Sequence, residues 1–309
     1  MRPGVEKSHL TAVVLALFVV MLWATSWVLI KIGLGEIPAL TFAGLRYMLA
    51  FICLAPIAVW TQRRRPFRPI PRRVVGRLIV LGVLLYALTQ GAIFLALEHL
   101  PAVMVNLLWS SSTIVIALLG TVWLAERLTR VQWIGVLVAA LGAVVYFVPL
   151  DLPAGYLVGV AVSIVGVLSN AGAVILGRGI NRSLETPPLV VTTISMGVGA
   201  TLLLAVGLIS QGMPIISAKG WAIIAWLAVV NTALAFTLWN TTLRVLSAAE
   251  SSIINGTMLI WIPILAVLFL NEQVSGKEIL GLILAGVGTL MVQVRMPRPF
   301  RRHPRTPPA

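Results

Sequence analysis

Apolar residues fill ten long stretches of the chain, and the polar residues gather in the short breaks between them. The stretches run at about 10–33, 38–60, 74–97, 101–124, 130–150, 154–177, 187–210, 220–243, 248–270 and 276–295. About 20 mostly apolar residues make a helix long enough to cross a hydrocarbon layer. The pattern therefore predicts an all-α integral membrane protein with ten transmembrane helices. Some of the polarity in the breaks is helix punctuation. Thr129-x-x-Gln132 before run five and Ser275-x-x-Glu278 before run ten have the form of a capping box, and Ser247-x-x-Glu250 suggests the same device for run nine.

The breaks also repeat. Residues 123–142 read WLAERLTRVQWIGVLVAALG and residues 269–288 read FLNEQVSGKEILGLILAGVG. At a constant offset of 146, Glu126 falls on Glu272, Gly135 on Gly281, Ala139 on Ala285 and Gly142 on Gly288. A weaker match sets EIPAL at 36–40 against ETPPL at 185–189, with an offset of 149. The chain divides into two five-helix units, 1–150 and 151–309. Because five is odd, the second unit inserts upside down relative to the first. Inverted-topology repeats are typical of secondary transporters, whose halves rock about a site near the midplane. On this reading one unit builds an inner gate around Glu126, and its twin builds an outer gate around Glu272.

Composition agrees with a bilayer as the solvent. Of 309 residues, 59% are apolar and only 10% charged, and the mean hydropathy is +1.02, which leaves too little polar surface to cover a soluble globule. The net charge of +14 does not point to nucleic acid, because the cations lie between apolar runs with no basic groove or reading motif. Seven arginines (63, 64, 65, 68, 72, 73 and 77) crowd the link between runs two and three. With alternating crossings, Arg2, Lys7, Arg127, Arg130, Arg178, Arg182, Arg244 and the basic tail fall on that same side, opposite Lys219 and Lys277. The positive-inside rule then places both termini in the cytoplasm. The first run is too long for a signal h-region and lacks a convincing cleavage site, so it is read as a span. The single cysteine, Cys53, lies inside an apolar run and is read as a small buried hydrophobe.

Polar side chains inside the runs are costly in lipid, so they face a partner helix or a watery cavity. Run four carries Asn106, Trp109, Ser110 and Thr113 on one helical face. Run one offers Trp23, Ser26 and Trp27, run three Tyr86 and Gln90, run eight Trp239 and Asn240, and run nine Ser252 and Asn255. Run six has a stripe of Gly159, Ser163, Gly166 and Asn170. Runs five and ten carry Gly and Ala but almost nothing polar, and are expected to brace the outside while the other eight enclose a cavity. Each candidate has a structural alternative. The run-six stripe suits close helix packing, and the amides suit interhelical hydrogen bonds as well as a cavity wall. Trp60, Trp123, Trp133 and Trp221 suit interfacial anchors better than Trp109 or Trp239 do. Lys31 is near enough to its helix end to snorkel outward or serve an outer gate. Arg46, about 12 Å into run two at 1.5 Å per residue, is harder to solvate. Glu98 and His99 close run three, as a solvated pair or a coupling site. No H-E-x-x-H, paired aspartates or nucleophile with a base is present, so neither an enzyme nor a metal site is expected, and no cofactor.

Two five-helix copies, each ending in an apolar helix, an E-x-[LV]-[TS] turn and a Gly-bearing helix, resemble the EamA-type branch of the drug/metabolite transporter superfamily. The W-x-x-S-W-x-x-x-K from Trp23 to Lys31 and Pro38 fit as well, and the resemblance spans about residues 10–295. Within the branch, the chain looks most similar to the YddG-type exporters of amino acids. The second copy departs from the pattern, with Asn170 where Trp23 would align and Ser195 where Arg46 would. The resemblance implies a multi-pass transporter in a bacterial inner membrane that exports small metabolites, amino acids and aromatic ones among them, through a central cavity. A channel for small solutes is the alternative, although no charged ring or filter-like segment favours it. The expected partners are lipid and a small-molecule substrate. Whether the chain is a monomer or a dimer stays open.

Overall fold

A computed structural model describes residues 3–63, 71–123, 128–148, 153–182, 187–243, 245–246 and 248–293. Thirteen α-helices and two π-helical segments follow in order: α1 Pro3–Gly33, α2 Ala39–Arg63, α3 Arg72–Gly82, a first π segment Val83–Gln90, α4 Gly91–His99, α5 Ala102–Trp123, α6 Arg130–Phe147, α7 Ala154–Arg182, α8 Pro188–Gln211, α9 Ala218–Ala228, a second π segment Val229–Leu234, α10 Ala235–Thr242, α11 Ala248–Gly256, α12 Met258–Leu270 and α13 Gly276–Gln293. They make ten helices long and apolar enough to span a membrane, one for each apolar run. The third span runs unbroken from α3 through the first π segment to α4. The ninth turns at Thr257 between α11 and α12. An even number of spans puts the start of the first span and the end of the last on one side, called here the tail side.

The predicted capping boxes before runs five and ten form. Thr129 accepts from the Gln132 amide while the Gln132 side chain accepts from the Thr129 amide. Ser275 and Glu278 exchange the same pair of bonds. Ser247, the start of the third expected box, lies outside the described residues, as do Glu126, Arg127 and Glu185.

Helices α6 and α13 pack antiparallel along their small residues. A Cβ on Gly135 would overlap the Gly288 carbonyl and one on Gly142 the Ala285 backbone; Gly281 and Gly288 face Gly142 and Ala139 in return. Lipid gives little hydrophobic drive between spanning helices, so close backbone approach and the dispersion it permits hold such a pair. Each contact joins one glycine to the twin of the other. This is the mark of a two-fold relation between antiparallel halves. The reverse face of α6 is a lipid-facing stripe of Ile134, Leu137, Leu141 and Val144, so the pair braces the outside as runs five and ten were expected to. A second antiparallel seam joins α2 to α8, where Gly44 meets Leu204, Gly207 meets Thr41 and Gly197 meets the Phe51 ring.

The seam between α5 and α7 uses the run-six stripe for packing. Gly159 sits against Leu100, Gly166 receives the Trp109 ring, and buried Ser163 bonds back to the Gly159 carbonyl at 2.8 Å. Two corrections concern single residues. Cys53 is partly rather than fully buried, and Lys31 does not snorkel away from the protein but is tied inward, as described below.

Candidate functional site

The two π segments occupy equivalent places in the halves: Val83 and Val229, their first residues, are 146 positions apart. Thr89 and Thr232 each turn a hydroxyl back five residues, to the Leu84 and Leu227 carbonyls at 2.7 and 2.8 Å. That reach matches the wider turn, whose backbone bonding is i to i+5. Such bulges are frequent at functional sites because they re-aim side chains without breaking the helix. Hydropathy gave no sign of them, since an extra residue in a turn leaves an apolar run apolar.

The bulges aim side chains at one segment of α2. From the first, buried Tyr86 packs edge-on to Tyr47 with ring centroids 5.6 Å apart. From the second, Thr232 accepts from Arg46 Nε at 3.3 Å and from Nη2 at 3.2 Å. The Arg46 guanidinium also lies 5.1 Å from the Tyr47 ring centroid and 6.0 Å from that of Phe94. Arg46 is 5% exposed. No acidic side chain pairs with it among the described residues; the salt bridge seen there joins His9 and Glu250 at 2.9 Å near the tail side. An arginine near the middle of a spanning helix costs about 3 kcal/mol even on the lenient insertion scale. Two long hydrogen bonds to a neutral hydroxyl and two ring faces offset part of that cost.

Toward the tail side, Trp23 packs at a tilt against Phe236 and Trp239 with centroids 5.4 and 5.2 Å away. Trp27 is buried, as is Ser26, whose hydroxyl bonds locally to the Trp23 carbonyl. Asn106 reaches the Leu259 carbonyl at 3.5 Å; Pro263 cannot donate to that carbonyl as a normal i+4 residue would, which leaves it free. Asn170 donates to Ser112 at 2.7 Å, and Ser110 bonds to its own helix. Gln90 and Trp109 are partly buried, Asn255 is exposed, and the Asn240 side chain lies outside the described residues. The structure thus brings Arg46 and Tyr86 into one cluster and Trp23 and Trp239 into another, and uses Asn170 and Trp109 in the α5–α7 seam.

Sequence reasoning missed Asn231 and Thr232. Asn231 is fully buried, donates to the Leu22 carbonyl and Thr25 hydroxyl, and keeps an unpartnered Oδ1. The signal was present, for these two polar residues stand at the middle of run eight. Glu272, expected at an outer gate, accepts from the Ala102 and Val103 amides at 2.6 and 3.1 Å and so caps α5 of the opposite half, a partner the repeat did not identify. Lys31 ties down the same corner by donating to the Leu97 and Leu100 carbonyls at 2.5 and 2.7 Å. Gln211 accepts from the Leu40 and Thr41 amides at the start of α2, and Glu36 accepts from Ser217 at the start of α9. All lie on the side opposite the tail. Glu98 and His99 are exposed beside them.

Burial along α5 differs end to end. Residues 102–107, on the far side, are all buried, whereas every residue of 113–119 is half-covered. A helix packed on one side and facing lipid on the other alternates buried with exposed positions. Uniform half-cover fits a helix lining an opening toward the tail side. Among the described residues, no cluster of His, Cys, Asp or Glu is able to hold a metal ion.

Comparison with known proteins agrees with this architecture. The model of the EamA-like transporter family matches residues 10–148 and again 157–294, once per half. The uncharacterized transporter YoaV of Bacillus subtilis is 23% identical over 88% of this chain and 93% of its own length. A probable amino-acid metabolite efflux pump of Escherichia coli is 30% identical over 43% of this chain and 41% of its own length. A crystal structure with 17% identity superposes with a TM-score of 0.63, covering 91% of this chain and 96% of that one.

Proposed function

The chain belongs to the EamA-like transporter family, and from that premise we propose that it is a secondary transporter exporting small metabolites, amino acids and aromatic ones among them, by alternating access. The observation that carries the reading is the contrast along α5, closed at the far side and half-open at the tail side, within a pair of antiparallel halves. An inverted pair has a second state of similar energy in which the roles of the two ends exchange. The amino-acid substrate follows the name of the Escherichia coli relative and the polar and aromatic side chains around Arg46, Tyr47, Tyr86 and Trp23.

The arginine asymmetry makes the tail side the cytoplasmic face of a bacterial inner membrane, so the state described here faces inward. Cysteines placed singly at Arg72 and Ile215 in a Cys53→Ala background label from opposite sides of the membrane, Ile215→Cys from outside. Labelling of both from outside overturns the orientation. For function, purified protein in liposomes is tested against a panel of amino acids and cationic drugs. Saturable flux with counterflow supports a transporter, and flux proportional to concentration without counterflow supports a channel.

A further inference from the structure

We propose that Arg46 is a carboxylate anchor and that Thr232 is the internal acceptor which a substrate carboxylate displaces; this rests on the transporter reading and names its substrate class. Arg46 holds a full positive charge inside the membrane, and its hydrogen-bond partner among the described residues is one neutral hydroxyl, at 3.2 and 3.3 Å. A guanidinium has five N–H donors in a planar fork that fits a carboxylate through two parallel bonds. Thr232 Oγ1 takes up Nε and Nη2, and Nη1 is left without a hydrogen bond. The sealed, unpartnered polar atoms among the described residues are Asn231 Oδ1, Thr289 Oγ1 and Gln293 Oε1. Nη1 and the Tyr47 and Tyr86 hydroxyls are not among them, so these tips border open space although their residues are almost wholly buried.

The setting selects for chemistry as well as charge. The Tyr47 and Phe94 rings lie against the guanidinium and Tyr86 packs edge-on to Tyr47, a surface suited to an apolar or aromatic substrate body. Arg46 belongs to the first half and Thr232 to the second. A carboxylate that replaces Thr232 on Arg46 therefore breaks a bond between the halves as it binds, which couples occupancy to their relative movement. A free cation, by contrast, meets an uncompensated positive charge. Substrates are thus carboxylate-bearing, and the matching amides and amines are excluded.

The test measures binding and transport separately. Thermal stabilisation of the detergent-purified protein is followed with phenylalanine, phenylacetate and phenylalaninamide. The acids raise the unfolding temperature and the amide does not; Arg46→Gln abolishes the difference and Arg46→Lys keeps part of it. Thr232→Val, which removes the competing acceptor, tightens the acids several-fold and leaves the amide unchanged, whereas a purely structural role for the Arg46–Thr232 bond predicts equal weakening of all ligands. Equal stabilisation by amide and acids in the wild type overturns the anchor whether or not Arg46→Gln folds, and so does the absence of stabilisation by the acids. In liposomes, saturable flux of phenylalaninamide as fast as phenylalanine also overturns the anchor while leaving the transporter reading intact. Absence of saturable flux for every solute overturns the transporter reading, and the binding arm still decides the role of Arg46.

Discussion

At the seam between α6 and α13 the two halves present the same residues to one another, Gly135 to Gly288 and Gly142 to Gly281. At the π segments the positions still correspond but the residues do not: Tyr86 packs edge-on to Tyr47, while Thr232, its equivalent at an offset of 146, bonds to Arg46. An antiparallel pair that meets about a two-fold axis uses one contact twice, so each half needs the same small residue at the same place. A single buried charge lies off that axis and needs its acceptor from one half only. The frame is therefore symmetric, and the chemistry it encloses is not.

Breaking the seam has the largest expected effect. Gly142→Leu and Gly288→Leu each force a side chain into neighbouring backbone and cost about 3 kcal/mol or more, read as loss of monodisperse protein after detergent extraction. The twins fall together; if one is tolerated, the seam is not two-fold. At the bulges the twins diverge. Tyr86→Ala removes a buried ring at about 3 kcal/mol and lowers the unfolding temperature. Thr232→Ala costs about 1 kcal/mol, yet shifts selectivity among substrates more than Tyr86→Ala does. Equal effects on both readouts would make the bulges equivalent.

Smaller effects sharpen the same contrast at the two mouths. Glu272→Gln weakens the cap on α5 by about 1 kcal/mol, so a cysteine at Leu100, which is now buried, reacts faster with an impermeant reagent added on the side opposite the tail. Glu126→Gln, at the twin position, leaves that rate unchanged. The smallest effect is expected at Glu98. The acids whose side chains are described, among them Glu36, Glu98, Glu250, Glu272 and Glu278, lie at or beyond the ends of spans, so none is placed for proton carriage at mid-membrane. Glu98→Gln changes flux under an imposed pH gradient less than two-fold. Uphill accumulation that a protonophore collapses and Glu98→Gln abolishes would make Glu98 and His99 the coupling pair.

The number of spans, the doubled unit, the two capping boxes before runs five and ten and the bracing pair were legible in the residues, because lipid imposes them locally. Every run must satisfy its own backbone and keep polar groups at its ends. The twin glycines could be read as an outer seam because nothing polar shares their helices. The destinations of side chains were not legible. Glu272 was expected at an outer gate, but which helix it caps there depends on a neighbour 170 positions away. Lys31 looked free to snorkel, but the α4–α5 corner folds beneath it and offers two carbonyls. Thr232 and Asn231 were two polar residues in an apolar run until a π turn, invisible to hydropathy, set one on Arg46 and the other on α1. Hydropathy and spacing alone identified the ten candidate spans and the repeat of the halves. The packing of ten helices decided which polar groups meet, since those meetings join residues far apart in the chain, and hydropathy carries no information about them.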